Sequence, residues 1–295
     1  MVVDWEGGHR SSYSKEWLKS ASERRRAGPV PRLWGAELAS ELPRHEWEAV
    51  SATADARRAW LRDVATFGFA LLHGVPCEDQ AVERVASLFG SVRVTNYGRV
   101  FDVRVAVGAA NLADTALPLS AHTDNPYREP TPTLQLLHCL ATEVDGGETM
   151  LVDGFAAVER LRTSSPEQLA ALAREPIRFA YRDETAELEA EFPVVSLDAD
   201  ARPRAVHLNN RSKGVPHGSP DAVAEWYGAY LALLGLLESP QLQIVFRLEP
   251  GDVVVFDNLR VLHGRTGFRS TGTRLLQGCY ADRDGLLSTL AVLER

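Results

Sequence analysis

The stretch Phe101-Asp102-Val103-Arg104-Val105-Ala106-Val107 marks the point at which apolar residues change from a helical spacing to an alternation of two. Such alternation is typical of a β-strand that buries one face. Beyond it, turn signals such as Asp145-Gly146-Gly147 and Pro250-Gly251-Asp252 separate further short apolar runs. The sequence therefore predicts a series of strands, over residues 133–140, 148–153, 177–181, 194–197, 205–208, 242–247, 252–256 and 274–281.

Helical patterns flank these strands without alternating with them. Apolar residues at helical spacing predict helices over 54–67 and 78–89, and two more over 155–173 and 220–237. There is no regular strand-helix-strand order, no Gly-x-Gly-x-x-Gly and no Gly-Lys-Ser phosphate loop. The pattern predicts a mainly β protein with flanking helices, an antiparallel sandwich or jelly roll rather than a Rossmann-type sheet.

Composition narrows the class of partner. The 295 residues carry 40 acidic and 32 basic side chains, a net charge of -8, which argues against nucleic acid as the main partner. No apolar run approaches the roughly 20 residues that cross a bilayer. The first six residues, 1–6, lack the basic and apolar flank of a signal peptide, so we expect a cytoplasmic protein. Three scattered cysteines (Cys77, Cys139 and Cys279) are too few for a disulfide framework.

The pair His122 and Asp124 is the first candidate for a metal site. Residues two apart on a strand project from the same face, so both side chains can reach one ion. The signal is weak alone, because 8 His and 40 acids in 295 residues give about one such pair by chance. A surface turn at Asp124-Asn125-Pro126 explains it equally well.

His263 and Arg274 strengthen the metal interpretation. His122, Asp124 and His263 together would form a two-histidine, one-carboxylate triad, the set that suits non-haem Fe(II) and oxygen chemistry. Arg274 lies eleven residues after His263 in an otherwise apolar strand, where an unpaired guanidinium is costly. It could grip a keto-acid carboxylate, or face outward from an edge strand. A zinc hydrolase is the rival metal interpretation, but His45-Glu46 has no partner histidine at the required spacing.

Four segments in this order resemble the Fe(II)/2-oxoglutarate dioxygenases, in the branch of the γ-butyrobetaine and trimethyllysine hydroxylases, with taurine dioxygenase more distant. They are residues 122–127, 134–139, 146–155 and 262–265. The resemblance implies a double-stranded β-helix and the cofactors Fe(II), 2-oxoglutarate and O2. It implies that the iron ligands are His122, Asp124 and His263. It also implies that the cosubstrate is bound by Arg274, Thr149 and Leu137.

Residues 1–28 resemble the last part of the small zinc-binding domain that precedes the catalytic domain in γ-butyrobetaine hydroxylases. His9 matches a zinc ligand there, but the partner cysteines are not in this sequence, so we expect no zinc and interpret His9 as a surface residue. Residues 29–295 would form the catalytic domain. The sequence leaves open whether the chain forms a homodimer.

The resemblance also implies a small zwitterionic substrate. In γ-butyrobetaine enzymes, aromatic rings hold a trimethylammonium group by cation–π attraction. Tyr97 and Phe101 match two of these positions, whereas Asp114 and Asn125 replace aromatic residues at two others. A carboxylate such as that of Asp114 would favour a cation with N–H donors. The residues expected to meet the acidic end of a betaine, an amino acid or an aminophosphonate are Asn111 and Asn209, with Asn210 or Arg211.

The resemblance implies hydroxylation of an unactivated C–H bond with release of succinate and CO2. Desaturation, cyclisation or rearrangement in a natural-product pathway could follow from the same cofactor chemistry. A catalytically idle jelly roll that binds a ligand is the alternative from a different class.

Overall fold

The computed structural model describes residues 1–22, 28–104, 115–269 and 272–295. Its strands are β1 (Val2–Asp4), β2 (Arg10–Ser12), β3 (Arg44–Glu46), β4 (Phe69–His73), β5 (Phe101–Arg104), β6 (Leu119–His122), β7 (Leu134–Thr142), β8 (Thr149–Asp153), β9 (Pro176–Arg182), β10 (Glu187–Pro193), β11 (Val195–Leu197), β12 (Pro203–Val206), β13 (Gln243–Phe246), β14 (Val253–Asp257), β15 (Val261–Arg265) and β16 (Arg274–Ala281).

Helices precede, interrupt and follow the strands. They are α1 (Lys15–Ser22), a 3-10 turn (Ala36–Ser40), α2 (Trp47–Ala52), α3 (Ala54–Phe67), α4 (Ala81–Ala86), α5 (Gly154–Ser164), α6 (Pro166–Arg174), α7 (Pro220–Leu237) and α8 (Arg283–Leu293). Among the described residues, no helix has both the length and the apolar composition that crossing a bilayer requires.

Two facing sheets form the centre of the molecule. The larger has the strand order β3-β4-β14-β7-β16-β5, and the smaller has the order β13-β8-β15-β6. Apart from the parallel pair β3 and β4, neighbouring strands in both sheets run antiparallel. Sequential strands thus cross between two sheets, as in a jelly roll. The predicted mainly β, double-stranded β-helix fold is confirmed.

The helix α3 shows how local sequence fixes an element that packs on the larger sheet. Thr53 begins it, with a side-chain oxygen that accepts a hydrogen bond from the Ala56 amide, and Gly68 ends it at φ 80°. Trp60 and Leu61 on its inner face are fully buried. The predicted bounds of this helix, residues 54–67, match the structure.

Other predictions differ from the structure. The helix predicted over 78–89 is the shorter α4, and β15 is absent from the predicted strands. The single helix predicted over 155–173 is two helices, α5 and α6, because Pro166 has no amide hydrogen to continue the first and instead opens the second. The hairpin of β9 and β10 contains a strand, β10, that we had not predicted. Residues 105–107 of the opening strand pattern lie outside the described residues.

A buried ion pair joins the end of β8 to the turn between β14 and β15. Both carboxylate oxygens of Asp153 accept hydrogen bonds from Arg260, at 3.1 and 2.9 Å, and the two side chains are almost completely buried. Asp153 also accepts from the Phe155 amide at the start of α5. A charge removed from water is tolerated only with such full pairing, so Asp153 has a structural role.

Candidate metal centre

His122 and His263 are brought together by strand pairing. They are direct partners in the antiparallel register of β6 and β15, and their ring centroids lie 4.3 Å apart. Asp124 follows β6, with Oδ1 3.3 Å from His122 Nε2 and Oδ2 3.9 Å from His263 Nε2. One ligand atom from each of the three residues lies within 4.8 Å of the others. The three groups predicted to converge therefore form one cluster.

Hydrogen bonds around the cluster hold its members in position. The Nδ1 of His122 lies 2.9 Å from the Ser120 carbonyl, which assigns the hydrogen to Nδ1 and leaves the Nε2 lone pair facing the cluster. The Asn258 amide donates to the Asp124 carbonyl and accepts from the Asp124 backbone N–H, at 2.9 and 2.7 Å. The Tyr280 hydroxyl donates to Asp124 Oδ2 at 2.8 Å.

The electrostatics of the cluster suit a divalent cation. Burial alone would raise the pKa of Asp124, but His263, His122 and the Tyr280 hydroxyl hold it below its ordinary value. Burial, with His122 beside it, lowers the pKa of His263 to about 3. At neutral pH the site thus offers an ionised carboxylate and a neutral imidazole, the forms that bind metal. Two imidazoles and one carboxylate fit Fe(II) and leave coordination positions for other ligands.

Arg274 lies in the same cavity as the cluster. Its guanidinium stacks over Phe268 at 5.4 Å, and its Nη2 is 3.5 Å from the Gly147 carbonyl. Burial, together with the neighbouring Arg265, lowers its pKa to about 10, so it remains charged at neutral pH. Within the described parts of the chain, no carboxylate forms an ion pair with Arg274. A buried cation of this kind fits the distal carboxylate of a diacid.

The cavity that these groups share has a volume of about 470 Å³. Besides the three clustered residues, its lining includes Arg274, Thr149 and Leu137 and the rings of several aromatic residues. The rings of Tyr97 and Phe101 have centroids 6.0 Å apart, and Tyr181 lies 6.0 Å from Tyr97. One cavity therefore contains a metal-binding cluster, a cation and an aromatic wall.

Of the other predicted substrate residues, three line the cavity. They are Asn209, Arg211 and Asn125. The Asn125 backbone has φ 53°, and its Oδ1 accepts a hydrogen bond from the Tyr127 hydroxyl at 2.6 Å. Asn210 does not line it: its side chain is exposed and its Oδ1 accepts from the Tyr230 hydroxyl at 2.6 Å. The structure thus places Asn210 against α7 and outside the cavity lining, and its predicted contact with substrate remains a prediction.

Asn111 and Asp114 lie outside the described residues, so their predicted roles remain predictions.

Several residues of the cavity were missed by the sequence reasoning. They are Tyr127, Tyr181, Gln135, Arg265 and Tyr280, with Asn258 behind the cluster. Tyr280 could have been found, because alternation from Arg274 along β16 places Leu276, Gly278 and Tyr280 on the same face. Position 278 on that face requires glycine, because a β-carbon there would collide with the Phe101 ring. Tyr181 and Asn258 follow no comparable spacing.

A jelly roll with a His-x-Asp pair, a distant histidine and a buried arginine in one cavity defines a metal-dependent oxygenase. Residues 26–280 match the Taurine catabolism dioxygenase TauD, TfdA family. The chain is similar to Gamma-butyrobetaine dioxygenase of Pseudomonas sp. (strain AK-1), with 37% identity over all of this chain and 79% of that protein. It is 32% identical to mitochondrial Trimethyllysine dioxygenase of Homo sapiens, over 99% of this chain and 72% of that protein.

Solved structures agree on the fold. An asparagine oxygenase with Fe(II), hydroxyasparagine and succinate bound has a TM-score of 0.59 at 21% identity, covering 79% of this chain and 83% of its own. The non-heme iron oxygenase OrfP also has a TM-score of 0.59, at 18% identity, covering 84% and 86%. The chain belongs to the TauD/TfdA dioxygenase family, as the sequence resemblance predicted. It is a non-haem Fe(II)- and 2-oxoglutarate-dependent dioxygenase.

Proposed function

We propose that His122, Asp124 and His263 hold the Fe(II), and that Arg274, Thr149 and Leu137 hold 2-oxoglutarate. Two contacts support the first part, the cross-strand pairing of the histidines and the Tyr280 bond to Asp124. The second part is supported by the cavity, because Arg274 and the ligand cluster line it together. In this arrangement, Arg274 binds the distal carboxylate, the Thr149 hydroxyl supports it, and Leu137 packs on the apolar chain of the cosubstrate.

The chemistry that Fe(II), 2-oxoglutarate and O2 supply at this centre is C–H oxidation coupled to decarboxylation of the cosubstrate to succinate and CO2. The protein's part is placement and protection. Tyr280 and Asn258 keep Asp124 facing the cluster, and β6 and β15 fix the distance between the imidazoles.

We propose a small zwitterionic amine as substrate, betaine-, amino-acid- or aminophosphonate-like, and hydroxylation of one of its unactivated C–H bonds. Two of the relatives are named for such compounds, γ-butyrobetaine and trimethyllysine. Tyr97 and Phe101, joined by Tyr127 and Tyr181, offer π faces to the cation. Asn209 and Arg211, which line the cavity together with Asn125, offer donors to the anion.

Asp114 and Asn111 keep the roles that the sequence suggested, as cation partner and anion donor. An Asp114→Tyr variant tests the first of these. We expect it to shift preference from primary or secondary amines towards trimethylammonium compounds, because it exchanges an N–H acceptor for a π face. An unchanged preference would contradict the role.

One observation carries the proposal: a single cavity joins the ligand cluster, an unneutralised arginine and rings that can hold a cation. The test is succinate release from 2-oxoglutarate over a panel of γ-butyrobetaine, glycine betaine, trimethyllysine, free amino acids and aminophosphonates. We expect a zwitterionic amine to stimulate turnover, with an oxidised product whose mass is higher by one oxygen. Stimulation by uncharged amines alone would contradict the substrate class, and a product lighter by two hydrogens would indicate desaturation.

We further propose that residues 1–28 form a unit separate from a catalytic domain of residues 29–295, and that the protein is a cytoplasmic homodimer. The three cysteines are free in the structure, which suits a reducing compartment. The apolar side chains of Trp5 and Trp17 in the N-terminal unit are half exposed, which suits burial against a second copy. Sedimentation of the whole chain and of a Trp5→Ser, Trp17→Ser variant tests this, with a monomeric wild type contradicting it.

A further inference from the structure

The turn that follows β12 carries two of the cavity-lining residues, Asn209 and Arg211. Their side chains can present donors to a substrate anion only if the backbone of the turn is held at a fixed distance from the ligand cluster. The turn is irregular in conformation, so this position depends on contacts with neighbouring elements. These contacts come from three sides.

Hydrogen bonds hold the turn on two of these three sides. The Gly214 amide donates to the Arg178 carbonyl at 2.7 Å, and the Ala180 amide donates to the Ser212 carbonyl at 2.9 Å, so the turn is attached to β9. The side chain of Asn209 donates to the Thr123 carbonyl at 3.0 Å. Since Thr123 lies between two of the clustered ligands, His122 and Asp124, this bond ties the turn to the metal centre.

The third side is attached to α7 through Lys213. The Nζ of Lys213 lies 5.0, 5.1 and 5.5 Å from the ring centroids of Tyr227, Tyr230 and Trp226, respectively. An ammonium group within about 6 Å of several ring faces is attracted by each of them. Trp226 and Tyr230 are buried in the core of the domain, so the three rings form a rigid partner. The Tyr230 hydroxyl also donates a hydrogen bond to Asn210 Oδ1 in the same turn, at 2.6 Å.

We infer that Lys213 is a positioning residue: its attachment to the three rings of α7 fixes the turn that presents Arg211 and Asn209 to the substrate's anionic group. The lysine itself is not among the residues that line the cavity. The inference rests on the proposed function in one respect, the role of Arg211 in binding the substrate anion. The order of the turn itself is independent of any substrate.

The experiment compares Lys213→Met, which keeps length but loses charge, with Lys213→Arg, which keeps the cation. Lys15→Met is the matched control, since Lys15 is exposed on α1. Hydrogen–deuterium exchange of residues 208–214 is measured on each whole protein. We expect Lys213→Met to accelerate exchange there by about 2- to 30-fold, the factor that a cation–π contact of 0.5–2 kcal/mol allows, with Lys213→Arg close to wild type. Unchanged exchange in Lys213→Met overturns the inference whatever the substrate is.

Kinetics then test the consequence for binding, with γ-butyrobetaine and 2-aminoethylphosphonate as probes and Arg211→Met as the reference variant. We expect Lys213→Met to raise the KM for the stimulating probe several-fold, with the KM for 2-oxoglutarate and substrate-free succinate formation unchanged. A merely structural role would lower the melting temperature and kcat without this selective change in KM.

The two kinds of failure are distinguishable. If Arg211→Met raises the KM and Lys213→Met does not, the positioning role is wrong while the proposed anion site stands. If Arg211→Met leaves the KM of both probes unchanged, the proposed role of Arg211 fails, and faster exchange in Lys213→Met still supports attachment of the turn.

Discussion

The two sides of the cavity are built differently. On the metal side, His122, His263 and Arg274 belong to regular strands, and Asp124 is held by Tyr280 and Asn258. On the substrate side, Phe101 and Tyr181 belong to strands β5 and β9, but Asn209 and Arg211 lie in the turn after β12 and Tyr97 lies in a loop. Strand positions are fixed by a ladder of backbone hydrogen bonds, whereas the turn after β12 has fewer backbone bonds to its neighbours and also depends on side-chain contacts.

This difference separates reactivity from specificity. A ligand cluster must hold its atoms to within a fraction of an ångström, which rigid strands achieve and loops do not. Loops tolerate substitution without loss of the sheet, so a family can alter its substrate while keeping its chemistry. The comparison predicts that changes on the metal side abolish or weaken turnover with any substrate, and that changes on the substrate side act on one class of substrate.

The largest effect is expected from His263→Ala. Loss of one of the three proposed ligands from this buried cluster should leave less than about 1% of succinate formation. Replacing even a residue that only hydrogen-bonds to a metal ligand lowers metal affinity or activity about 10- to 100-fold. Anaerobic addition of Fe(II) and 2-oxoglutarate should no longer give a visible charge-transfer band. His73→Ala is the control, because His73 is exposed and outside the cavity. Turnover that survives in His263→Ala would remove the basis of the metal assignment.

The next effect is expected from Arg274→Gln. Losing a charge-assisted bond of 1.5–3 kcal/mol should raise the KM for 2-oxoglutarate about 10- to 150-fold. Fe(II) affinity should change little, because Arg274 is not among the clustered ligands. Arg99→Gln is the matched control, an exposed arginine paired with Glu83 at 2.7 Å. An unaltered KM for 2-oxoglutarate would place the diacid elsewhere in the cavity.

Tyr97→Leu tests the substrate side. The substitution keeps an apolar side chain but loses the π face, so the KM for a cationic substrate should rise about 2- to 30-fold. The KM for 2-oxoglutarate should remain unchanged, in contrast to Arg274→Gln. Tyr97→Phe keeps the ring, and we expect it to behave like the wild type. Equal effects of Tyr97→Leu on both KM values would contradict the division of the cavity into two sides.

The same division explains what the sequence could predict. The helix at residues 54–67 follows from spacing, because a period of 3.6 determines which side chains share a face. The spacing of His122 and Asp124 is only a weak signal, and the proposed ligand set and the role of Arg274 come from the family resemblance. Tyr181 and Asn258 could not be found in this way, since their places depend on how distant elements pack. Asn210 shows the same limit, because a run of polar residues in a turn does not indicate which one will bond to α7.

The smallest effect concerns Asp183, in the turn between β9 and β10 that lines the cavity beside Tyr181. Hydrogen bonds from the Tyr181 hydroxyl and from Thr185 and Ala186 lower its pKa from 3.8 to about 2. Because the folded protein binds this proton less tightly than the unfolded chain, the carboxylate stabilises the hairpin above about pH 4, and this contribution is lost as the pH falls towards 2.

Asp183→Asn should therefore lower the midpoint of urea unfolding slightly at pH 7, and the difference from the wild type should shrink as the pH falls through this range. Glu184→Gln, which removes the same charge one residue away, should give no such convergence. A difference that stays constant with pH would show that the carboxylate does not hold the hairpin. In that case the order at Tyr181 would rest on the backbone ladder between β9 and β10 and on the stacking of Tyr181 against Tyr127, whose ring centroids lie 5.0 Å apart.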